Sequence, residues 1–560
     1  MKRRAFIQSS LKGLLVAAAG GSSLVLKGCR GKQDFDLVIK SALVFDGLGS
    51  EGKPADVAIK GDSITEIGRI DWRRARGIID GQGLALAPGF IDIHDHTDVQ
   101  LLVNPRAESH IHQGITTLLS GNCGSSPFPL AGEALEEEKR NLRDLYNVDL
   151  DWTDLEGFFA RLEKGPIAIN YATLVGHGSL RAAAVGLADR PPSAQELNKM
   201  KELLRVGLEA GAFGLSSGLE YTPGSFAQTP EIVELCRLVA GAGGIYATHM
   251  RDEGDNLEAA LEEALEVGRS SRVELQISHF KTAYRRNWTK LGHALSLIEK
   301  ARQEGIEVAI DRYPYIAGST GLSFFFPLWA REGGTDAFLQ RLKDPNLEAQ
   351  LRAHLKRQEE KLGSWSQVMI SSVSRDQNRW LQGMTIADAA MKRGMDDFSF
   401  IRDLLINENG QVGMISFMMS EENLKQILSL PYTSIGCDGV TYSPEGILGK
   451  TKPHPRSYGS FPRFLGKYVR EEKVCSLAEA IRRITSLPAS RLGLRDRGII
   501  APGYKADLVL FDPDRIRDRA TWETPHTFAE GIVGVIVNGI PVIDDGHQTQ
   551  ALPGRILRRT

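Results

Sequence analysis

The sequence predicts an α/β chain: a (β/α)8 TIM-like barrel carrying a small β-sandwich assembled from both ends. Three observations lead there. Strand-like runs followed by amphipathic helical stretches repeat through the middle, and short alternating strands bounded by turn residues occupy both flanks. Histidine, cysteine and aspartate residues also recur at the same end of successive central strands.

The first residues read differently. "MKRRAFIQSSLKGLLVAAAGGSSLVLKGC" opens with the adjacent pair Arg3 and Arg4 and turns apolar over residues 13–26. This resembles a twin-arginine export signal, and it is too short and too rich in Gly and Ser for a membrane span of about 20 apolar residues. It ends in Leu26-Lys27-Gly28-Cys29, similar to a lipoprotein signal box except at Lys27. Residues 1–30 are therefore expected to be an export signal with Cys29 as a candidate lipid anchor, which predicts a periplasmic or membrane-anchored location.

The β-sandwich follows. "FDLVIKSALVFDG", "ADVAIKGDSITEIG" and "GLALAPG" alternate apolar and polar residues between turns, and the texture returns in "KADLVLFDP" and "GIVGVIVNGIPVID". One sandwich is expected from residues 31–88 and 486–560.

Residues 89–485 are the expected barrel. Its strands are "GFIDIH", "GITTLLSG", "INYATLVG", "AFGLSSG", "GIYATH", "VELQISH", "IEVAIDRY" and "TSIGCDG". The helix before the fourth is explicit: Ser193 and Glu196 form a capping box, Leu197, Met200, Leu204 and Leu208 share one face, and Gly211 closes it. Residues around 320–395 are charged and out of register, an expected insertion at the barrel mouth, while "QVGMISFMM" is a further candidate strand.

Composition narrows the function. A formal net charge of −2 gives no electrostatic support for nucleic-acid binding. The five cysteines show no CxxC spacing, which argues against a disulfide scaffold.

His94 and His96 follow the first strand, Cys123 the second, His249 ends the fifth, His279 the sixth and Asp438 the eighth. In extended backbone residues i and i+2 point the same way, so His94 and His96 can face one ion. His110 and His112 share that spacing on a predicted helix, where it diverges, and are read as structural. Imidazole, thiolate and carboxylate together select Zn²⁺ over Mg²⁺ or Ca²⁺. A zinc site with an open position activates water for hydrolysis, and a nearby carboxylate such as Asp438 can carry the proton to a leaving nitrogen.

"PGFIDIHDHTD", "GNCG", "LVGHGSLR", "GAFGLSSGLEYTPG", "YATHMRDEGD", "QISHFK", "DRYPYIAGST", "IGCDG", "HPRSYGSFPR" and "GYKADLVLFDP" together resemble the N-acyl-D-amino-acid deacylases, or D-aminoacylases, of the amidohydrolase superfamily, from about residue 35 onward. The resemblance implies a firm zinc on Cys123, His249 and His279. It implies a second, weaker position on His94, His96 and Asp438, with Cys123 between them and Asp438 as general acid/base. It further implies a substrate-carboxylate clamp of Tyr313, Ser319 and Arg456, with Lys281 assisting the carboxylate or the scissile carbonyl. The implied partner is a small molecule, an N-acyl amino acid or a D-residue peptide; a membrane enters only through the lipid anchor. Other superfamily members bridge two metals with a carboxylated lysine, and no lysine stands at a matching strand end here. That disfavours a hydantoinase- or dihydroorotase-like cyclic-amide hydrolase. That cyclic-amide hydrolase is nonetheless the nearest enzymatic rival, a D-residue dipeptidase stays open, and a non-catalytic exported binding lipoprotein is the remotest alternative. The segment "GVTYSPEGILGKTKPHPR", between Asp438 and Arg456, is longer than the family pattern and is expected to reshape the pocket.

Overall fold

The computed structural model describes residues 33–559, so the expected export signal and Cys29 lie outside the described residues. Among the described residues no helix is long and apolar enough to cross a membrane.

Eight short strands form the centre: β1 (Phe90–Asp92), β2 (Ile115–Ser120), β3 (Asn170–Thr173), β4 (Gly214–Gly218), β5 (Ile245–His249), β6 (Glu274–Ile277), β7 (Val308–Arg312) and β8 (Thr433–Ile435). They pair in parallel in chain order, and β3 reaches β4 through its continuation Val175–Gly176. The ring closes between the ends of β8 and β1. There the Asp438 N–H donates to the His94 carbonyl at 2.8 Å and the His96 N–H to the Gly439 carbonyl at 2.7 Å. The buried Asp92 carboxylate accepts the Cys437 N–H at 3.1 Å across the same seam. Every residue of β2, β4 and β5 is buried, which is why these strands lack the apolar–polar alternation of a sheet with one face in water.

The helix Ala194–Glu209 carries the expected capping box, with Met200 and Leu204 buried on its inner face. Leu197 and Leu208 are half-buried at the edges of that stripe.

Two expectations are corrected. The insertion is longer than 320–395, and besides its helices it holds a sheet. It starts at the strand Ala317–Gly321 and ends at Val412–Phe417, the middle strand of an antiparallel sheet completed by Val368–Val373. "QVGMISFMM" is thus this middle strand and not part of the barrel. The insertion has its own core, including Leu322, Phe325, Leu351, Ile370 and Leu405.

The terminal strands are hydrogen-bonded as one nine-stranded sheet that curls on itself, with the Ile64 N–H donating to the Tyr504 carbonyl at 2.8 Å and residues of both portions sharing one core. The amino- and carboxyl-terminal portions join where Leu508–Phe511 pairs antiparallel with Ala85–Pro88. Residues 486–492, expected in the sandwich, form a helix instead. Its Ala489 and Leu492 share an apolar cluster with Ile91, Leu119, Phe213 and Ala247 of the barrel.

Sheet and barrel are joined by a buried polar knot. Asp507 accepts hydrogen bonds from Arg497, from the Asn538 N–H at 2.7 Å and from Asn170 of β3 at 3.1 Å. Only 4% of the Arg497 side chain is exposed. Asp507→Ala leaves that guanidinium only the exposed Asp496, 4.0 Å from its Nε, so urea unfolding is expected to show a loss of about 3–5 kcal/mol.

Candidate active site

The strand ends deliver the predicted residues to one cavity of ≈ 710 Å³ at the carboxyl-terminal mouth. His96, Cys123, His249, His279, Lys281, Tyr313, Ser319, Asp438 and Arg456 all line it. His94 sits fully buried behind them.

Backbone conformation aims three of these side chains. Cys123, His279 and Asp438 hold left-handed φ angles of 51°, 36° and 50°, costly for residues with a Cβ and stable only where the surroundings fix them. Gly218, at the end of β4, shows the fixing: a Cβ there would stand 2.1 Å from the Cys123 carbonyl oxygen. The turn after β2 therefore packs flush on β4 and pushes the sulfur inward.

The donors converge. Cys123 Sγ lies 3.4 Å from both His94 Nε2 and His279 Nε2. His249 Nδ1 lies 3.0 Å from His279 Nε2, and His96 Nε2 lies 3.0 Å from Asp438 Oδ1. His94, Cys123, His279 and Asp438 present ligand atoms all within 4.8 Å of one another.

Carboxylates that sequence reasoning missed settle which ring nitrogens face inward. Glu220 Oε2 stands 2.9 Å from His249 Nε2, so that N–H donates outward and Nδ1 keeps its lone pair for the cluster. Glu253 Oε1 stands 3.0 Å and Lys281 Nζ 2.9 Å from His279 Nδ1, so the Nδ1 edge of that ring is occupied and Nε2 is the edge turned to the cluster. Asp311 lies 3.0 Å from His94 Nδ1, which is buried without an aligned hydrogen bond. Glu220 and Asp311 stand at or just past the ends of β4 and β7, a positional signal available to a reader; Glu253 lies in the loop after β5.

Lys281 takes a different position from the expected one. Its ammonium is buried against Glu253 and lies 2.9 Å from His279 Nδ1, so it steadies the carboxylate behind that ring.

In the clamp, Arg456 Nη1 donates to Asp438 Oδ2 at 2.6 Å and the guanidinium lies 4.7 Å from the Tyr313 ring centroid. The Ser319 hydroxyl donates to the Met414 carbonyl at 2.9 Å. His454, also missed, accepts the Arg456 N–H at 2.9 Å and donates to the Ala317 carbonyl at 2.9 Å, which ties the clamp to the insertion.

His110 and His112 stay out of the cavity. His110 Nε2 lies 2.6 Å from Asp95 Oδ2 in a fully buried cluster with Asp92 and Cys437, and His112 stacks on Phe528.

Charge is concentrated here. Burial pushes the Cys123 thiol up, but the His94 and His279 charges outweigh it and hold the pKa well below the ordinary value. Burial disfavours the His249 cation, yet Glu253 and Cys123 overcome this and raise its pKa to about 10. Burial likewise raises Asp438, and Arg456 and His279 pull it well below the usual carboxylate range. A thiolate amid imidazoles is the donor set that zinc selects. The spacing fits as well, because tetrahedral bonds of about 2.3 Å to sulfur and 2.0 Å to nitrogen separate those ligand atoms by about 3.5 Å.

A lowered pKa predicts thiolate reactivity that persists on acidification. In chelator-treated protein, alkylation of Cys123 by iodoacetamide is expected to stay nearly constant from about pH 9 to about pH 7, where an ordinary thiol slows about 25-fold. Peptide mass spectrometry reads the rate, with the buried Cys236 and Cys437 as slow internal references.

Comparison with known proteins agrees with this geometry. Residues 446–543 match the Amidohydrolase family. The chain is 36% identical to a D-aminoacylase of Alcaligenes xylosoxydans xylosoxydans over 528 residues, 94% of this chain and 98% of that protein. It is also 36% identical to an N-acyl-D-glutamate deacylase of the same organism, covering 94% of this chain and 97% of the relative. Among solved structures, an N-acyl-D-glutamate deacylase from Bordetella bronchiseptica, complexed with zinc and a phosphonate mimic of the tetrahedral intermediate, superposes with a TM-score of 0.79. That structure is 35% identical, with 94% of this chain and 99% of that one covered. The donor cluster at a barrel mouth, the terminal sheet and near full-length identity together establish that this chain belongs to the D-aminoacylase family of amidohydrolases.

Proposed function

We propose that this enzyme hydrolyses the amide bond of N-acyl-D-amino acids, releasing a carboxylate and the free D-amino acid. The observation that carries the proposal is the inward-facing trio Cys123 Sγ, His249 Nδ1 and His279 Nε2, with Asp438 beside it and Arg456 behind Asp438.

That trio would hold a firmly bound Zn²⁺, and His94, His96 and Asp438, with Cys123 between, would hold a second, weaker one. When bound, zinc polarises the acyl carbonyl and makes water acidic enough to attack near neutral pH. This chain's residues supply the rest. Arg456, with Tyr313 and Ser319, binds the substrate carboxylate; a planar guanidinium suits that geometry. Asp438 Oδ1 takes the proton of the attacking water and passes it to the leaving nitrogen. Glu220 and Glu253 hold the His249 and His279 rings in register. In support of export, residues 1–30 resemble a twin-arginine leader; Arg3→Lys/Arg4→Lys is expected to retain the protein in the cytoplasmic fraction.

Metal analysis and turnover of N-acetyl-D-methionine test the reading together: absence of both bound zinc and acetate release sinks it. Cys123→Ala is expected to lose both, and full zinc occupancy in that variant refutes the ligand role of Cys123. Asp438→Asn is expected to lower kcat by about 10²–10⁴ while the firmly bound zinc is retained. Glu253→Gln should weaken zinc affinity by about 10–100-fold, read by competition with a chromophoric chelator.

A further inference from the structure

The cavity's walls differ in charge. Of its lining lysine and arginine residues, Lys281 is paired with Glu253, and Arg456, which touches Asp438, belongs to the clamp. Away from the clamp, the wall is built by the helix Gly132–Tyr146, which follows β2 and presents Glu137, Glu138 and Asn141 to the cavity. The clamp residues follow β7 and β8. In an eight-strand ring β2 stands three places from β7 and two from β8, so this helix and the clamp occupy different sides of the mouth.

Both glutamates are half-buried, and among the described residues neither forms a salt bridge. The helix's own cations are engaged elsewhere: Lys139 with Glu136, Arg140 with Asp336 and Arg143 with Asp149. The wall is held in place from the insertion, where the Thr335 hydroxyl donates to Glu137 at 2.5 Å and Gln411 to Asn141 at 3.0 Å.

A substrate held by its carboxylate at the clamp and by its amide over the donor cluster projects its acyl half toward this wall. We infer that the acyl half carries a positive charge, as an aminoacyl or peptidyl group with a free amine does, and that Glu137 and Glu138 select it. The inference rests on the deacylase reading above. An anionic acyl group meets two uncompensated carboxylates, and a neutral one leaves them half-buried without a counter-charge. Hydrolysis of such a substrate consumes one water and releases an amino-bearing carboxylate with the free D-amino acid.

Three derivatives of D-alanine with acyl groups of equal chain length test this: 6-aminohexanoyl, hexanoyl and adipoyl, each with the zinc-loaded enzyme. The expected kcat/KM order is amine, then neutral, then anion, with about tenfold between steps. In Glu137→Gln/Glu138→Gln the amine-to-neutral ratio is expected to fall toward one; the two single variants give the same readout if the double variant does not fold. Equal rates for the amine and hexanoyl substrates, or a faster adipoyl substrate, overturn the inference while leaving deacylation intact. An unchanged ratio in the variants overturns the role of the two glutamates. Failure of zinc-loaded protein to turn over any of the three overturns the deacylase reading itself.

Discussion

Bringing a thiolate, buried imidazoles and carboxylates into one mouth is the constraint on which the rest of the structure depends. Such groups repel or demand protons unless a cation neutralises them. The backbone accepts left-handed conformations at Cys123, His279 and Asp438 to make the gathering possible. The β1–β8 seam is cross-linked through Asp92 so that the His94–His96 segment and Asp438 keep one spacing. The raised His249 pKa and the lowered Cys123 pKa express the same demand from opposite sides: protons gather on imidazole while the sulfur stays anionic, and a divalent ion would displace those protons.

Much of this was legible in the sequence because the barrel is locally encoded. Each βα unit announces itself by a buried apolar run, a turn and a periodic helix, and the ligand-type residues sit at fixed offsets from the runs. The partners of those residues were harder to see. Glu220, Glu253 and Asp311 act on histidines carried by other strands or loops, so no spacing within a single motif points to their pairing. Lys281 illustrates the limit: its position near the site is readable, while its capture by Glu253 depends on how two loops meet.

The full extent of the insertion and its sheet escaped detection for a related reason. Its strands pair antiparallel over about a hundred positions, with helices between, and their faces are packed against a separate core, so neither the barrel's rhythm nor a hairpin signature is present. It nonetheless completes the pocket, contributing Ser319 and anchoring both Arg456, through His454, and the helix Gly132–Tyr146, through Thr335. The pocket is therefore braced by a piece that has an apolar core of its own.

The pairing of Leu508–Phe511 with Ala85–Pro88 has a kinetic consequence. These strands are more than four hundred positions apart in the chain, so during synthesis the earlier strand waits with an unpaired edge and an uncovered apolar face while the barrel is still being made. The nascent protein thus carries an open sheet edge for most of its translation, and crowding among neighbouring ribosomes is the stage at which this fold is most exposed to aggregation.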